Sequence, residues 1–270
     1  MIFVRDKGRM CNNILQYGHL YAWGREHGRT TMSMRFAYKY PYFHICNTPH
    51  HNFFCYCLGK YAAKAGLIAT VSFDSREADT AALEQQLMAH RNVMAQGWYA
   101  RFYDLFLKYK ADIIALFAFH ADIEAATARR LQGSEDCIRL GVHIRRGDYA
   151  TWQGGRYLFT DEQYIAVISQ FVALHPASRV RIYICGNDPK LDCGKFLAAF
   201  GQGNVVFPDG NPGQDLCLLS HCNYLIGAPS TFSLVASMYH DTPLYWIKDA
   251  EAPLQEDSFG RFEELFRKII

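Results

Sequence analysis

Short apolar runs rich in β-branched and aromatic residues alternate, along almost the whole chain, with stretches whose apolar positions recur at helical spacing. That alternation predicts a parallel sheet joined by crossover helices. Ile2–Arg5 reads as a first strand. A helix capped by Asn12 or Asn13 follows and runs to about Glu26, with Gly28 as its C-terminal stop. Residues 31–36 form the next expected strand, 37–60 an irregular aromatic insertion, 67–73 a strand, 75–96 a helix and 108–131 another helical stretch. After Gln132-Gly133-Ser134 the rhythm becomes regular. Strands are expected at Ile138–Ile144, 180–185, 205–207, Tyr224–Gly227 and 244–247. Helices fall between them at Asp161–Leu174, 189–200, 214–222 and 230–239, and an amphipathic helix over 259–270 closes the chain.

The Gly133-Ser134 turn divides the chain into expected domains 1–133 and 134–270. At about 100–150 residues per core, 270 residues suit two modest domains. An apolar share of 50% and an aromatic share of 15% exclude a disordered, collagenous or coiled-coil chain. The net charge of +2 argues against a nucleic-acid partner, which calls for a strong basic excess. Charge is uneven, since residues 1–64 hold nine Lys and Arg against two acidic residues. A solvated basic face accounts for this more simply than an anionic partner, with peripheral association at the inner face of a membrane kept open. Met1 is followed at once by mixed apolar and charged residues, so no signal peptide is expected. The uncharged run 41–59 carries three His and two Pro and is no bilayer span. Nine cysteines, odd in number and unevenly spaced, read as reduced thiols in the cytoplasm. The stretch holding His44, Cys46, His50, His51, Cys55 and Cys57 offers only a C-x-C pair, so buried thiols are expected there and no metal.

The densest chemistry lies at Gly141-Val142-His143-Ile144-Arg145-Arg146-Gly147-Asp148-Tyr149, a buried strand ending in a glycine turn. Alternation along a strand puts His143 and Arg145 on one face. A guanidinium fork suits a phosphate, while a strand-end ion pair to Asp148 is the plain alternative. The second constellation runs from Asp215 through Ser220 to Ala228-Pro229-Ser230-Thr231, where a strand turns into a helix whose free N–H groups could cradle an anion. An ordinary N-cap is the plain alternative there. The third is Tyr183-Ile184-Cys185-Gly186-Asn187-Asp188-Pro189, a strand-end turn leading into a capped helix. P-loop, nucleophile-elbow and zinc-protease motifs are absent, and no D-x-D pair occurs.

Three segments together resemble a known family. HIRRGDY (143–149) is similar to an H-x-R-R-G-D-Y motif, DLCLLSHCNYLIGAPSTFSLVASMY (215–239) to a second family segment, and Lys7-Gly8-Arg9-Met10-Cys11-Asn12-Asn13-Ile14-Leu15-Gln16-Tyr17 to an amino-terminal one. The chain thus resembles the bacterial α-1,2-fucosyltransferases and, more distantly, the α-1,6- and protein O-fucosyltransferases. The resemblance implies an α/β fold of GT-B type, with two facing Rossmann-like domains and a C-terminal helix. It implies inverting transfer of fucose from GDP-fucose to a glycan hydroxyl, α-1,2 to galactose, with no metal and no cofactor. The acceptor would be a glycan such as a surface-polysaccharide precursor. Carried over, His143 and Asp215 contact guanine, and Arg145 holds the β-phosphate with Arg146 beside it. Ser230 and Thr231 donate at the helix end, and Arg9 and Asn12 line the cleft. The sequence departs from the family at Arg9, at Cys11-Asn12 and at Ala228-Pro229-Ser230-Thr231. Gln153 stands where the α-1,6 relatives place a catalytic Glu, and it cannot serve as a base.

Without a metal, Arg145 and the helix terminus must stabilise the departing diphosphate. Asp148 is the nearest carboxylate for the acceptor's proton, or else the residue that orients Arg145 or Arg146. Two other readings stand beside the enzyme: an inactive guanine-nucleotide binder of the same fold, and a lectin-like module built on the aromatic segment 36–56.

Overall fold

A computed structural model describes residues 1–270 except Asp6, Asn187 and Ile270. The chain forms two compact units, Met1–His120 and Ala121–Ile270. The division falls before the Gly133-Ser134 turn, for a physical reason. Helix Ala121–Leu131 buries Ile123, Thr127 and Leu131 on one face, and that helix packs on a helix of the second unit, Pro212–Ser220.

The first unit holds strands β1 (Ile2–Arg5), β2 (Thr31–Ser33), β3 (Ala69–Ser72) and β4 (Val93–Gln96) in one parallel sheet of order β2-β1-β4-β3. Helix α1 (Met10–Glu26) begins ahead of the expected asparagine cap. Arg9 occupies the N-cap without a side-chain bond, and Asn12 and Asn13 lie inside the first turn. Gln16 fixes this start by donating to the Lys7 carbonyl at 2.6 Å and accepting from the Lys7 N–H at 3.1 Å. Gly28, at φ +63°, ends the helix as expected.

Three expectations for residues 37–131 need correction. Residues 37–60 are not irregular throughout, because helix α2 (Phe53–Lys64) starts there on Asn52, whose side chain accepts from the Cys55 N–H at 2.9 Å. Residues 75–96 are not one helix. Asp79 caps α3 (Thr80–Ala89), and the chain then enters the sheet as β4, where Val93, Met94 and Ala95 are buried. Pairing with β1 and β3 overrides the helical preference of Met, Ala and Gln there. The stretch 108–131 is broken into α4 (Tyr103–Lys108), α5 (Lys110–Leu116) and α6 (Ala121–Leu131). Part of the aromatic insertion is core: Phe36, Phe43 and Phe117 are fully buried and meet edge to face, with ring centroids 4.9–5.8 Å apart.

The second unit follows its expected plan closely. Strands β5 (Ile138–Ile144), β6 (Val180–Gly186), β7 (Val205–Val206), β8 (Tyr224–Gly227) and β9 (Leu244–Trp246) form a parallel sheet of order β7-β6-β5-β8-β9. Helices α7 (Asp161–Leu174), α8 (Cys193–Phe200), α9 (Pro212–Ser220) and α10 (Thr231–His240) connect them. Tail helix α11 (Phe262–Phe266) is shorter than expected. Val142 and Ile144 join the apolar core that also holds Tyr164, Ile168 and Phe171 of α7. A side chain at Gly141 would instead meet Leu219 and Leu225, so odd positions of β5 face α9. Strand order reverses between β5 and β8, the point at which doubly wound sheets open a crevice at their carboxyl edge. Among the described residues, no helix is long and apolar enough to cross a membrane.

Close approach at the reversal depends on Gly227. It pairs with His143, and a Cβ there would lie 2.8 Å from the His143 carbonyl oxygen. Gly227→Ala is expected to destabilise the chain by about 1–3 kcal/mol through overpacking against backbone. Urea unfolding reads this directly, and an unchanged midpoint would contradict the close approach.

Candidate functional site

Most of the singled-out residues meet at the carboxyl edge of β5 and β8 in the second unit. His143 is the penultimate residue of β5, 6% exposed, and its ring stacks on Phe232 of α10 with centroids 4.7 Å apart. Burial, aided by the charge of Arg145, lowers its pKa to about 3, so the imidazole is neutral. Its Nδ1 is buried with no hydrogen-bond partner among the described residues.

Beyond Ile144 the two arginines part company. Arg145 gives one arm to Asp148 at 2.8–2.9 Å and lies over the Tyr149 ring at 5.6 Å, while its Nε is buried without a partner among the described residues. Arg146 turns to protein groups on every side. Its Nε donates to the Phe159 carbonyl at 2.9 Å, and its two amino groups reach Asp161 at 2.5 Å and Asp188 at 3.3 Å. Placed by the resemblance beside the donor, Arg146 has its donors engaged by residues 13 to 42 positions downstream and acts as a brace. Its neighbour keeps a donor unengaged.

The opposite wall is the start of α10. Ser230 is the N-cap, accepting from the Phe232 N–H at 3.1 Å, and Thr231 is the first helical residue. The plain capping role of Ser230 is therefore real, and it leaves the helix terminus aimed at the sheet edge. The Tyr149 hydroxyl donates to the Pro229 carbonyl and ties the two loops together.

Asp215 does no capping. Asn211 caps α9, accepting from the N–H groups of Gly213 and Gln214, with Gln214 completing the capping box. Asp215 Oδ1 is buried without a hydrogen-bond partner among the described residues. Burial pushes this carboxyl up to about 7, against the pull of Arg130 and with the help of Asp209. Its charge also acts on the Cys185 thiol, and Cys185 is the register partner of His143 across β5 and β6. Arg130 of α6 donates to the Asp209 carbonyl at 2.6 Å, and its other amino nitrogen is buried with no partner among the described residues. Native proteins leave few buried polar atoms unsatisfied, and those at His143, Arg145, Asp215 and Arg130 form a set that a polar, anionic ligand would complete.

Sequence reasoning missed Arg130, Phe232 and the Asp161–Asp188 pair. Arg130 had no local signal and lay on the wrong side of the expected boundary. Tyr149 was inside the motif, but its bond to Pro229 depends on the sheet. Arg9, exposed, and Asn12, half-buried, belong to the first unit at the start of α1. Asn187 lies outside the described residues. In the His/Cys-rich stretch, both ring nitrogens of His51 bond protein groups, the Ser33 N–H at 2.9 Å and the Thr48 hydroxyl at 2.7 Å.

A family model for glycosyl transferase family 11 matches residues 103–244, more than half of the chain and all of this sheet edge. The chain belongs to glycosyl transferase family 11. This family-11 chain is 25% identical over 267 residues to galactoside 2-alpha-L-fucosyltransferase Sec1 of Mus musculus, covering 88% of this chain and 64% of the relative. It is 29% identical over 143 residues to galactoside alpha-(1,2)-fucosyltransferase 2 of Bos taurus, covering 47% and 40%. The chain thus spans less than two thirds of the length of these curated relatives. Among solved structures it resembles POFUT1 in complex with GDP-fucose (TM-score 0.61, 12% identity, 89% and 95% of the two chains). It also resembles an Arabidopsis thaliana FUT1 mutant in complex with GDP (0.59, 12%, 96% and 73%). A third likeness is to the fucosyltransferase NodZ from Bradyrhizobium (0.58, 14%, 94% and 96%). These likenesses establish the α/β fold of GT-B type.

Two outcomes follow from the geometry. Arg146→Ala strands the carboxylates of Asp161 and Asp188, both mostly buried, and is expected to cost about 3–5 kcal/mol of stability. Equal urea midpoints for variant and parent would show that the brace does not matter. For Asp215 the folded pKa of about 7 lies above the ordinary 3.8. Its stabilising contribution is complete below about pH 4 and is lost as pH rises through about 7. Asp215→Asn, which carries no such proton, should therefore gain on the parent between those limits. Unfolding series at several pH values measure the difference, and a gap that stays flat with pH would contradict it.

Proposed function

We propose that the chain is a fucosyltransferase that moves fucose from GDP-fucose to a galactoside hydroxyl in α-1,2 linkage, with inversion and without a catalytic metal. Family membership supports the class of reaction. The names of the relatives support the acceptor and linkage, and the GDP and GDP-fucose complexes of the structural neighbours support the donor. The observation that carries the reading is the buried, uncapping carboxylate of Asp215 with its free oxygen. Guanine offers two adjacent donors, N1–H and the 2-amino group, and a carboxylate accepts both. Neutral His143, held flat on Phe232, presents a second base-reading nitrogen from the adjacent strand.

In this reading Arg145 meets the diphosphate with its unengaged Nε, and the α10 terminus with Ser230 and Thr231 meets it from the other strand. Charge builds on the diphosphate as the sugar bond breaks, so preorganised donors lower the barrier without a metal. Asp148 aims Arg145. Taking the acceptor's proton as well requires it to loosen that pair, so its half-exposed position on the solvent side matters. Arg9 and Asn12 are assigned to the acceptor side, with a surface-polysaccharide precursor as acceptor class. Nine cysteines without a disulfide support a cytoplasmic setting, with the basic amino-terminal part offered to the inner membrane face.

The test combines binding and turnover. GDP affinity should rise with pH up to about 7, because Asp215 must shed its proton to accept from guanine. Asp215→Ala should abolish that rise and narrow the preference for GDP over ADP, which in the parent is expected at roughly 10⁴-fold. Arg145→Ala should lower the transfer rate by about 100–1,000-fold. Adding Mg²⁺ or Mn²⁺ to metal-stripped protein should leave the rate unchanged. Unaltered GDP binding by Asp215→Ala in calorimetric titration would refute the guanine contact.

A further inference from the structure

A second cluster of ligand-capable side chains lies where α6, α9 and α10 pack together. Glu124 projects from α6, Cys217 from α9, and His221 is the residue that caps the end of α9. A spacing of four residues puts Cys217 and His221 on one helix face. A carboxylate oxygen, the sulfur and a ring nitrogen of the three lie within 4.8 Å of one another, the one such group of three among the described residues. His221 Nε2 is 3.0 Å from Glu124 Oε2. The ring of His240, the last residue of α10, comes within 5.2 Å of the His221 ring, centroid to centroid, and faces the Glu124 charge. Cys217 is fully buried, whereas Glu124 and His221 reach solvent. The cluster therefore has a dry sulfur at its base and an open mouth.

We propose that Glu124, Cys217 and His221, with His240 as the fourth ligand, bind one divalent cation of the zinc class. Thiolate, imidazole and carboxylate together form a borderline-soft, mixed set, which tetrahedral Zn²⁺ accepts and which Mg²⁺ and Ca²⁺, seeking oxygen alone, do not. Zinc bonds of about 2.0–2.3 Å set tetrahedral ligand atoms roughly 3.3–3.8 Å apart, so the His221–Glu124 pair opens slightly from 3.0 Å while the sulfur, within 4.8 Å of both, draws in. Binding releases the thiol proton of Cys217, so affinity increases with pH. The cation joins α6, α9 and α10, the helices that carry Arg130, Asp215 and the Ser230 cap. Cys217 lies two residues from Asp215 on another face of α9, and the cation takes no part in the transfer proposed at the sheet edge. An interhelical His221–Glu124 hydrogen bond beside an inert thiol is the competing account.

Metal-stripped full-length protein is titrated with Zn²⁺ against a chelator of known affinity, and with Co²⁺ followed by absorption. The expected result is one ion per chain, a thiolate-to-cobalt charge-transfer band and a raised melting temperature. Cys217→Ser should abolish the band. It and His221→Gln should each weaken Zn²⁺ binding by at least about 100-fold. Glu124→Gln keeps a hydrogen-bonding partner for His221 but is a poor ligand, and it should weaken binding too. His221 and Glu124 are solvent-accessible, so their variants carry the test if Cys217→Ser does not fold. Absence of the cobalt band in the parent, or Zn²⁺ affinity unchanged in His221→Gln and Glu124→Gln, overturns the proposal.

Discussion

The geometry of the second unit's edge rests on one buried cation, the guanidinium of Arg146, held between Asp161 at the start of α7, Asp188 after β6 and the Phe159 carbonyl. These partners come from two separate stretches of chain, 159–161 and 188, that otherwise have no reason to converge. Burying such charges is costly, and the arrangement is tolerable only because each charged group has a partner of opposite sign and good geometry. The chain leaving β5 is thereby fixed in direction at the residue next to Arg145. A loop aimed by a saturated neighbour can hold an unsaturated arginine in place without using that arginine's own donors.

The contrast between adjacent arginines extends to the rest of the edge. Gly227 lets β8 lie close to β5, Tyr149 bonds across to Pro229, and Phe232 supports the His143 ring. Each of these contacts is complete within the protein. Among the described residues, the groups they position are left incomplete: His143 Nδ1, Arg145 Nε and Asp215 Oδ1. Each incomplete group is a desolvation cost held in the folded state, and a ligand with matching groups relieves it. Preorganisation of this kind favours a ligand whose charge is fixed or developing, because the site does not have to rearrange to meet it.

Legibility in the sequence followed how local the determining forces are. The central strand Ile138–Ile144 and helix Asp161–Leu174 were readable to the residue, since a continuous apolar run and the Thr160–Gln163 capping box specify them locally. Strand β4 was not, because Val93-Met94-Ala95-Gln96 becomes a strand only when β1 and β3 flank it. Helix α2 had a legible cap in Asn52, hidden by the aromatic residues around it. At the candidate site, His143, Arg145 and Asp215 were singled out by motif, but the different surroundings of Arg145 and Arg146 were not legible. Their separation depends on Asp161 and Asp188, 15 and 42 residues downstream of Arg146.

Strand order also sets the timing of assembly. β5 is the first strand of its sheet to be made and lies at the sheet's centre, yet its partner β8 comes 84 residues later. While the polypeptide is being synthesised, one flank of β5 has no neighbour, and an apolar ribbon with open hydrogen-bonding groups must wait. Nonlocal parallel pairing of this sort folds slowly and exposes intermediates to self-association. Soluble yield should therefore depend on translation speed and chaperone supply more than on the final stability of the native state.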